Sequence, residues 1–228
     1  MKIMVSCEHS CDFIPQEWSQ LFVDKKLKMS EYGVGHIYNK IAPQIADYCD
    51  ATNVSMQLVD TDGSISFGTA LSDITSELSA QDAGKIIRDY YLPYQIEFED
   101  RAEQWRQVGE RVLMLGLHTF EPIVNNIPIG MDIGLIFNHN QTEERSLALR
   151  LKRGFEKSAP WLRVRFNAPL KVKEDGFVQH MRDMYGTILL GLEIYVGENV
   201  IFPEGIRVVS EVVTDVISKW RDEFSNIN

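Results

Sequence analysis

Short runs of consecutive apolar residues alternate along the chain with segments in which apolar residues recur every three or four positions. The continuous runs predict buried strands at residues 2–6, 54–59, 111–117, 132–137, 162–166 and 188–194. The periodic segments predict amphipathic helices at residues 37–48, 82–105, 143–157 and 203–220. Aliphatic strands that alternate with such helices are typical of an α/β fold whose sheet is covered by helices on both faces.

Two features modify this simple alternation. Pro93 lies inside the periodic segment 82–105, where a missing N–H group and ring clashes predict a kink or a break. Residues 60–81 are rich in Ser, Thr, Asp and Gly, which predicts either a functional loop or a loosely ordered segment. No internal repeat or Pro/Gly/Ser-rich linker divides the chain, so residues 1–228 are expected to form a single domain.

Composition and charge narrow the possible partners. The 228 residues carry a formal charge of −10, which disfavours nucleic acid and anionic membranes as partners. The apolar runs are far shorter than the roughly 18 residues that span a bilayer, and a cytoplasmic location is expected. The three cysteines, Cys7, Cys11 and Cys49, are too few for a disulfide framework and are expected to be reduced.

Polar side chains cluster where predicted strands end. His9 and Asp12 follow the first strand, His118 follows the strand at 111–117, and Glu193 lies near the end of the strand at 188–194. In α/β sheets, ligands bind at the carboxyl ends of the strands, so these groups are expected to converge. Two histidines and a carboxylate are a common ligand set for catalytic Zn²⁺, which lowers the pKa of water toward neutrality. Glu193 is then the candidate general base.

Each residue also has an ordinary structural interpretation. A single histidine at a strand end can be a hydrogen-bonded structural residue, Asp12 can cap a turn, and Glu193 can pair with an arginine. Cys7 and Cys11 flank His9, so a thiolate–imidazole zinc site or a Cys/His nucleophile is a competing hypothesis.

At these positions the sequence resembles the N-formylglutamate amidohydrolase family, which is similar to the zinc carboxypeptidases and the succinylglutamate desuccinylase and aspartoacylase group. The resemblance rests on three segments in family order: Cys7-Glu8-His9-Ser10-Cys11-Asp12-Phe13-Ile14-Pro15, His118-Thr119-Phe120 and Glu193-Ile194-Tyr195. It implies a three-layer αβα fold with a central mixed, mostly parallel sheet, as in zinc exopeptidases. It also implies one zinc ion per chain held by His9, Asp12 and His118, with Glu193 as the general base.

The chain departs from the family where arginines usually bind the substrate. Tyr195 stands where an arginine commonly follows the late glutamate. The segment 59–64, where the family usually has a further arginine, contains none. Arg182 and His180 are the nearest candidates to bind a substrate carboxylate, together with Tyr195, although Arg182 can instead pair with a nearby aspartate. The expected function is zinc-dependent hydrolysis of a linear amide bond in a small N-acyl amino acid, such as N-formylglutamate. The alternatives are a carboxypeptidase or amidase acting on peptides or cell-wall fragments, and a non-catalytic protein that binds a small carboxylate or amide.

Overall fold

The computed structural model describes residues 1–23, 25, 31–169 and 175–225. The strands are β1 (Lys2–Cys7), β2 (Tyr48–Ala51), β3 (Val112–Phe120), β4 (Ile123–Val124), β5 (Ile127–Pro128), β6 (Ile133–Ile136), β7 (Val164–Phe166) and β8 (Leu189–Gly197). The α-helices are α1 (Val34–Ile45), α2 (Ala80–Ile86), α3 (Leu92–Gln107), α4 (Thr142–Ser158), α5 (Phe177–Tyr185) and α6 (Pro203–Ser225).

Six strands form one sheet in the order β2-β1-β3-β8-β6-β7, and β4 pairs with β5 in a separate hairpin. Within the sheet, neighbouring strands are parallel except for β6 and β8, which are antiparallel. Helices α1, α4 and α6 pack on one face of the sheet, and α3 and α5 pack on the other. The expected three-layer αβα fold with a mixed, mostly parallel sheet is therefore confirmed.

The central strands β1, β3 and β8 are buried on both faces, which is why they read as continuous apolar runs. Ile3 and Leu113 point toward α1, α4 and α6, whereas Met4 and Met114 point toward α3 and α5. This alternation directs every second side chain of the same strand to the opposite layer.

The predicted strand at residues 54–59 is wrong. That segment forms turns, and the strand that pairs with β1 is β2, which begins at Tyr48, six residues before the predicted start at Val54. Val54 and Leu58 are buried in a separate apolar cluster with Trp18 and Ile86, so their hydrophobicity reflects burial in irregular structure. Tyr48, which the helical spacing had placed on α1, instead begins β2.

The long periodic segment is helical over residues 80–107, and its α-helical pattern is interrupted just before Pro93. A π-helical turn at Ile87–Tyr91 joins α2 to α3, and Pro93 lies in the first turn of α3. At the other end of the segment, Ser79 caps α2 by accepting a hydrogen bond from the backbone N–H of Asp82.

Among the described residues, no helix combines the length and the apolar character that a bilayer crossing requires.

Candidate metal centre

The parallel pairing of β1, β3 and β8 brings their carboxyl ends to one edge of the sheet. Ser6 is in register with Gly116, and Gly116 is in register with Glu193. His118 is in register with Tyr195, two residues further along the same face. Glu8 and His9 follow directly after β1. The sheet thus places imidazole and carboxylate groups from three separate parts of the sequence next to one another.

The two histidines and a carboxylate from outside the sheet, Glu31, lie close together. His9, Glu31 and His118 each offer one ligand atom, and these atoms all lie within 4.8 Å of one another. Glu31 Oε1 is 2.8 Å from His9 Nδ1 and 3.4 Å from His118 Nδ1. The two rings approach edge to face with centroids 5.6 Å apart.

Glu31 reaches this position because the backbone around it is fixed. Its N–H group donates to the carbonyl of His9 over 3.2 Å, and its Oε2 accepts a hydrogen bond from the backbone N–H of Thr119 at 2.5 Å. Gly33 then turns the chain into α1 with φ of +77°, and a Cβ atom there would lie 2.2 Å from Ile201 Cγ2. Glycine is therefore required between Glu31 and α1.

The donor set fits a divalent cation. Two imidazole nitrogens and one carboxylate oxygen are the ligands that catalytic Zn²⁺ sites commonly use. Both imidazoles are buried, and each directs its Nδ1 atom at Oε1 of Glu31.

The shifted pKa values show that a negatively charged Glu31 and positively charged His9 and His118 stabilise one another. Burial by itself raises the pKa of Glu31, but the neighbouring rings of His118 and His9 outweigh burial and lower this pKa to about 2. Burial lowers the pKa of His118, and the Glu31 carboxylate outweighs that effect and raises it to about 9. Hydrogen bonds to Asp60 and Glu31 likewise overcome burial and raise the pKa of His9 well above its usual range. A cation at this point would therefore replace protons held by the two rings.

A further carboxylate orients the His9 ring. His9 Nε2 lies 2.8 Å from Asp60 Oδ1, so the ring nitrogen opposite Glu31 donates to a carboxylate. Asp60 Oδ1 also accepts from the backbone N–H of Asp62 at 3.0 Å. Metal-ligating histidines characteristically have such an outer partner, which fixes the tautomer and the ring orientation.

Glu193 and Tyr195 lie beside the three-residue group. The Tyr195 ring stacks on the His118 ring with centroids 4.6 Å apart, and its hydroxyl donates to Glu193 Oε2 over 3.3 Å. A Cβ atom on Gly116 would lie 3.2 Å from Glu193 Cγ and 3.4 Å from His118 Nε2. The glycine thus leaves a space that both the Glu193 and the His118 side chains border.

Comparison with solved structures identifies known proteins with a similar fold. The gene product Atu2144 from Agrobacterium tumefaciens is similar over 98% of this chain and 92% of its own, with a TM-score of 0.78 and 17% identity. N-formylglutamate amidohydrolase from Ralstonia eutropha JMP134 is similar over 97% of this chain and 94% of its own, with a TM-score of 0.73 and 15% identity. The CwlD amidase from Clostridioides difficile, solved in complex with the GerS lipoprotein, covers 97% and 98% of the two chains, with a TM-score of 0.51 and 10% identity.

The chain has the fold of these proteins. The resemblance noted in the sequence is thereby confirmed at the level of the fold. No protein-family model and no curated protein sequence matches the chain.

The structure brings together some of the residues that the sequence singled out for metal binding. His9 and His118 converge, but the described carboxylate that joins them is that of Glu31 and not that of Asp12. Asp12 is exposed. Neither Cys7 nor Cys11 belongs to a metal-binding group among the described residues.

Of the three residues proposed to contact substrate, one lies at the site and two are held by other side chains. Tyr195 is at the site, as described above. Arg182 is buried beneath it, and its guanidinium donates to both oxygens of Glu144 at 3.1 Å and to the carbonyl of Gly191 at 2.8 Å. His180 lies on the solvent side of α5, 2.8 Å from Glu99. Since the Arg182 and His180 side chains have these structural partners, we do not include them in the site.

Proposed function

We propose that this protein is a metal-dependent amidohydrolase that cleaves a linear amide bond in a small N-acyl amino acid, with zinc as the metal. The observation that carries the proposal is the convergence of His9, Glu31 and His118 on one point, with Glu193 beside them. N-formylglutamate is the first substrate to test, because the structurally similar protein from Ralstonia eutropha is named for its hydrolysis.

We assign the three ligand positions to His9, Glu31 and His118, and we replace Asp12 by Glu31 in that set. One cation held there would act as a Lewis acid that polarises the scissile carbonyl and acidifies water. One zinc per chain is expected.

Glu193 is the general base in this proposal. Its carboxylate takes a proton from the attacking water and delivers it to the leaving amine, so that a neutral amine departs. The Tyr195 hydroxyl donates to Glu193 Oε2, and its ring packs on His118, so one side chain fixes both groups relative to each other. We therefore assign Tyr195 a positioning role rather than direct contact with substrate.

The first test is elemental analysis combined with an amidase assay. The purified protein is expected to hold about one zinc per chain, and Glu193→Gln should keep that zinc while turnover falls by about 100-fold or more. Glu31→Gln should lower zinc content, whereas Asp12→Asn, the matched removal of a nearby carboxylate charge, should leave zinc content and turnover unchanged. A wild-type protein that stays metal-free at full zinc supply would overturn the proposal.

The substrate panel separates the remaining possibilities. Formyl and acetyl amino acids, dipeptides and muramoyl peptides are compared under the same conditions. Hydrolysis of peptides or cell-wall fragments in preference to N-acyl amino acids would redirect the substrate assignment. Thermal shifts with acyl amino acids in the absence of any hydrolysis would show a binding protein instead of an enzyme.

A further inference from the structure

Two buried polar atoms face each other at the rear of the site. Glu8 Oε2 and His118 Nε2 are 3.7 Å apart, and among the described residues neither atom has a partner with hydrogen-bond geometry. Both side chains are 1% exposed, so neither atom reaches bulk water. An unsatisfied buried carboxylate oxygen is in general destabilising, and a compensating function is expected for it.

The sheet accounts for why Glu8 stands there. Ser6 of β1 is in register with Gly116 of β3, and Glu8, just beyond the end of β1, and His118 each lie two residues further along at the same edge of the sheet. The other oxygen of Glu8, Oε1, accepts from the Tyr94 hydroxyl over 3.2 Å. Tyr94 in turn accepts from the backbone N–H of Cys7. The carboxylate is thus fixed with its second oxygen directed at the imidazole.

The contacts of His9 indicate a role for the Glu8 carboxylate beside His118. His9 points Nδ1 at Glu31 and gives Nε2 to Asp60 at 2.8 Å. His118 also points Nδ1 at Glu31, and the carboxylate facing its Nε2 is Glu8. Each ring therefore lies between Glu31 on its Nδ1 side and a second carboxylate on its Nε2 side, and both contacts are longer for His118, at 3.4 and 3.7 Å, than for His9, at 2.8 Å each.

We propose that Glu8 is the positioning residue for His118: when a cation binds at Nδ1 of this ring, Nε2–H donates to Glu8 Oε2 and fixes the ring in the ligand orientation. The inference rests on the proposed function, since it requires a metal at the His9, Glu31 and His118 group. It concerns a residue that touches neither the cation nor the substrate. Its effect is on metal affinity, because outer carboxylate partners of metal-bound histidines typically change affinity by about 10- to 100-fold.

The experiment measures zinc dissociation constants by chelator competition for wild type, Glu8→Gln and Asp62→Asn, together with the thermal stability of each metal-free protein. Asp62 is the matched control because it is a buried carboxylate whose charge acts on both Glu8 and His118. Glu8→Gln should weaken zinc binding by about 10- to 100-fold and Asp62→Asn by clearly less, and the metal-free Glu8→Gln protein should keep its melting temperature or gain stability.

Equal losses of affinity in the two variants would overturn the proposal, because net charge would then explain the effect. So would unchanged zinc affinity accompanied by a lower melting temperature, which is the signature of a purely structural residue. A wild-type protein that binds no zinc defeats the proposed function itself, so the two failures are distinguishable.

A second measurement needs no variant. In zinc-loaded wild-type protein, nitrogen–proton correlation spectra of the imidazoles should show Nε2–H of His118 as a hydrogen-bonded proton protected from solvent exchange, alongside the same proton of His9. Protection of the His9 proton alone would contradict the role of Glu8.

Discussion

Replacing Arg182 by methionine separates two roles that the sequence alone leaves open for this residue. A substrate-binding arginine would affect catalysis, whereas a buried structural arginine would affect stability. Arg182 Nε and Nη2 donate to the two oxygens of Glu144, and Nη2 also donates to the carbonyl of Gly191. The Glu144 side chain is 1% exposed, so Arg182→Met would leave a charged carboxylate buried without its counter-ion.

The size of the effect follows from these contacts. Removing one partner of a buried ion pair costs about 3–5 kcal/mol in unfolding free energy. Glu144 keeps two backbone donors, the N–H groups of Gly191 and Asn138, both at 2.7 Å, which holds the loss within that range. For a chain of this size, the loss corresponds to a fall in melting temperature of roughly 6–20 °C. The double variant Arg182→Met/Glu144→Gln should recover part of it, because the buried charge is then gone.

Urea unfolding followed by circular dichroism, with a chelator present to remove any contribution from metal, measures this directly. Arg207→Met is the matched control: the same substitution in an exposed ion pair with Glu211, which should leave the unfolding curve unchanged. An Arg182→Met protein with wild-type stability and a raised KM would refute the structural assignment and return Arg182 to the substrate site.

Two further predictions test the surroundings of the site. Hydrogen bonds from Arg163 offset burial and lower the pKa of Asp132 to about 2. Because this pKa is lowered, the ionised Asp132 stabilises the fold above about pH 4, and the contribution is lost as pH falls toward 2. Urea unfolding from pH 2 to 6 should show that Asp132→Asn removes about 2 kcal/mol of the pH dependence of the unfolding free energy. The same dependence of unfolding free energy on pH in the two proteins would contradict this prediction. Gly116→Ala places a methyl group 3.2 Å from Glu193 Cγ and 3.4 Å from His118 Nε2. Steady-state kinetics should show at least about a 10-fold loss of turnover, and the unfolding free energy should fall by about 1–3 kcal/mol. Full activity of the variant would show that catalysis does not need this space.

The fold could be predicted from the sequence where burial follows secondary structure. Strands β1, β3 and β8 are covered on both faces, so their apolar runs are unambiguous, and α4 and α6 show clear helical spacing. The strand predicted at residues 54–59 is wrong because this apolar run lies in a buried segment of turns. An apolar run indicates only that its side chains are buried, and it does not show which backbone hydrogen bonds the segment makes.

The site could be predicted in part for a related reason. The convergence of His9, His118 and Glu193 could be predicted, because the carboxyl ends of parallel strands lie at the same edge of the sheet. The substrate contacts were not accessible in this way. Whether Arg182 faces a ligand or Glu144 depends on how α5 packs against β8, which the spacing of residues does not specify.

The choice between Asp12 and Glu31 shows the limit most clearly. Spacing determines only reach, and an aspartate three residues after His9 can reach the same ion from a tight turn. Direction is set by the backbone, which leaves the Asp12 side chain exposed and brings Glu31 back against His9 and Thr119. Carboxylates that ligate a metal are typically hydrogen-bonded themselves, and in the proposed site the Thr119 N–H group donates to Oε2 of Glu31. It follows that the metal binding lost in Glu31→Gln should not return in the double variant Asp12→Glu/Glu31→Gln. The Thr119 N–H group on β3 cannot donate to a carboxylate at position 12.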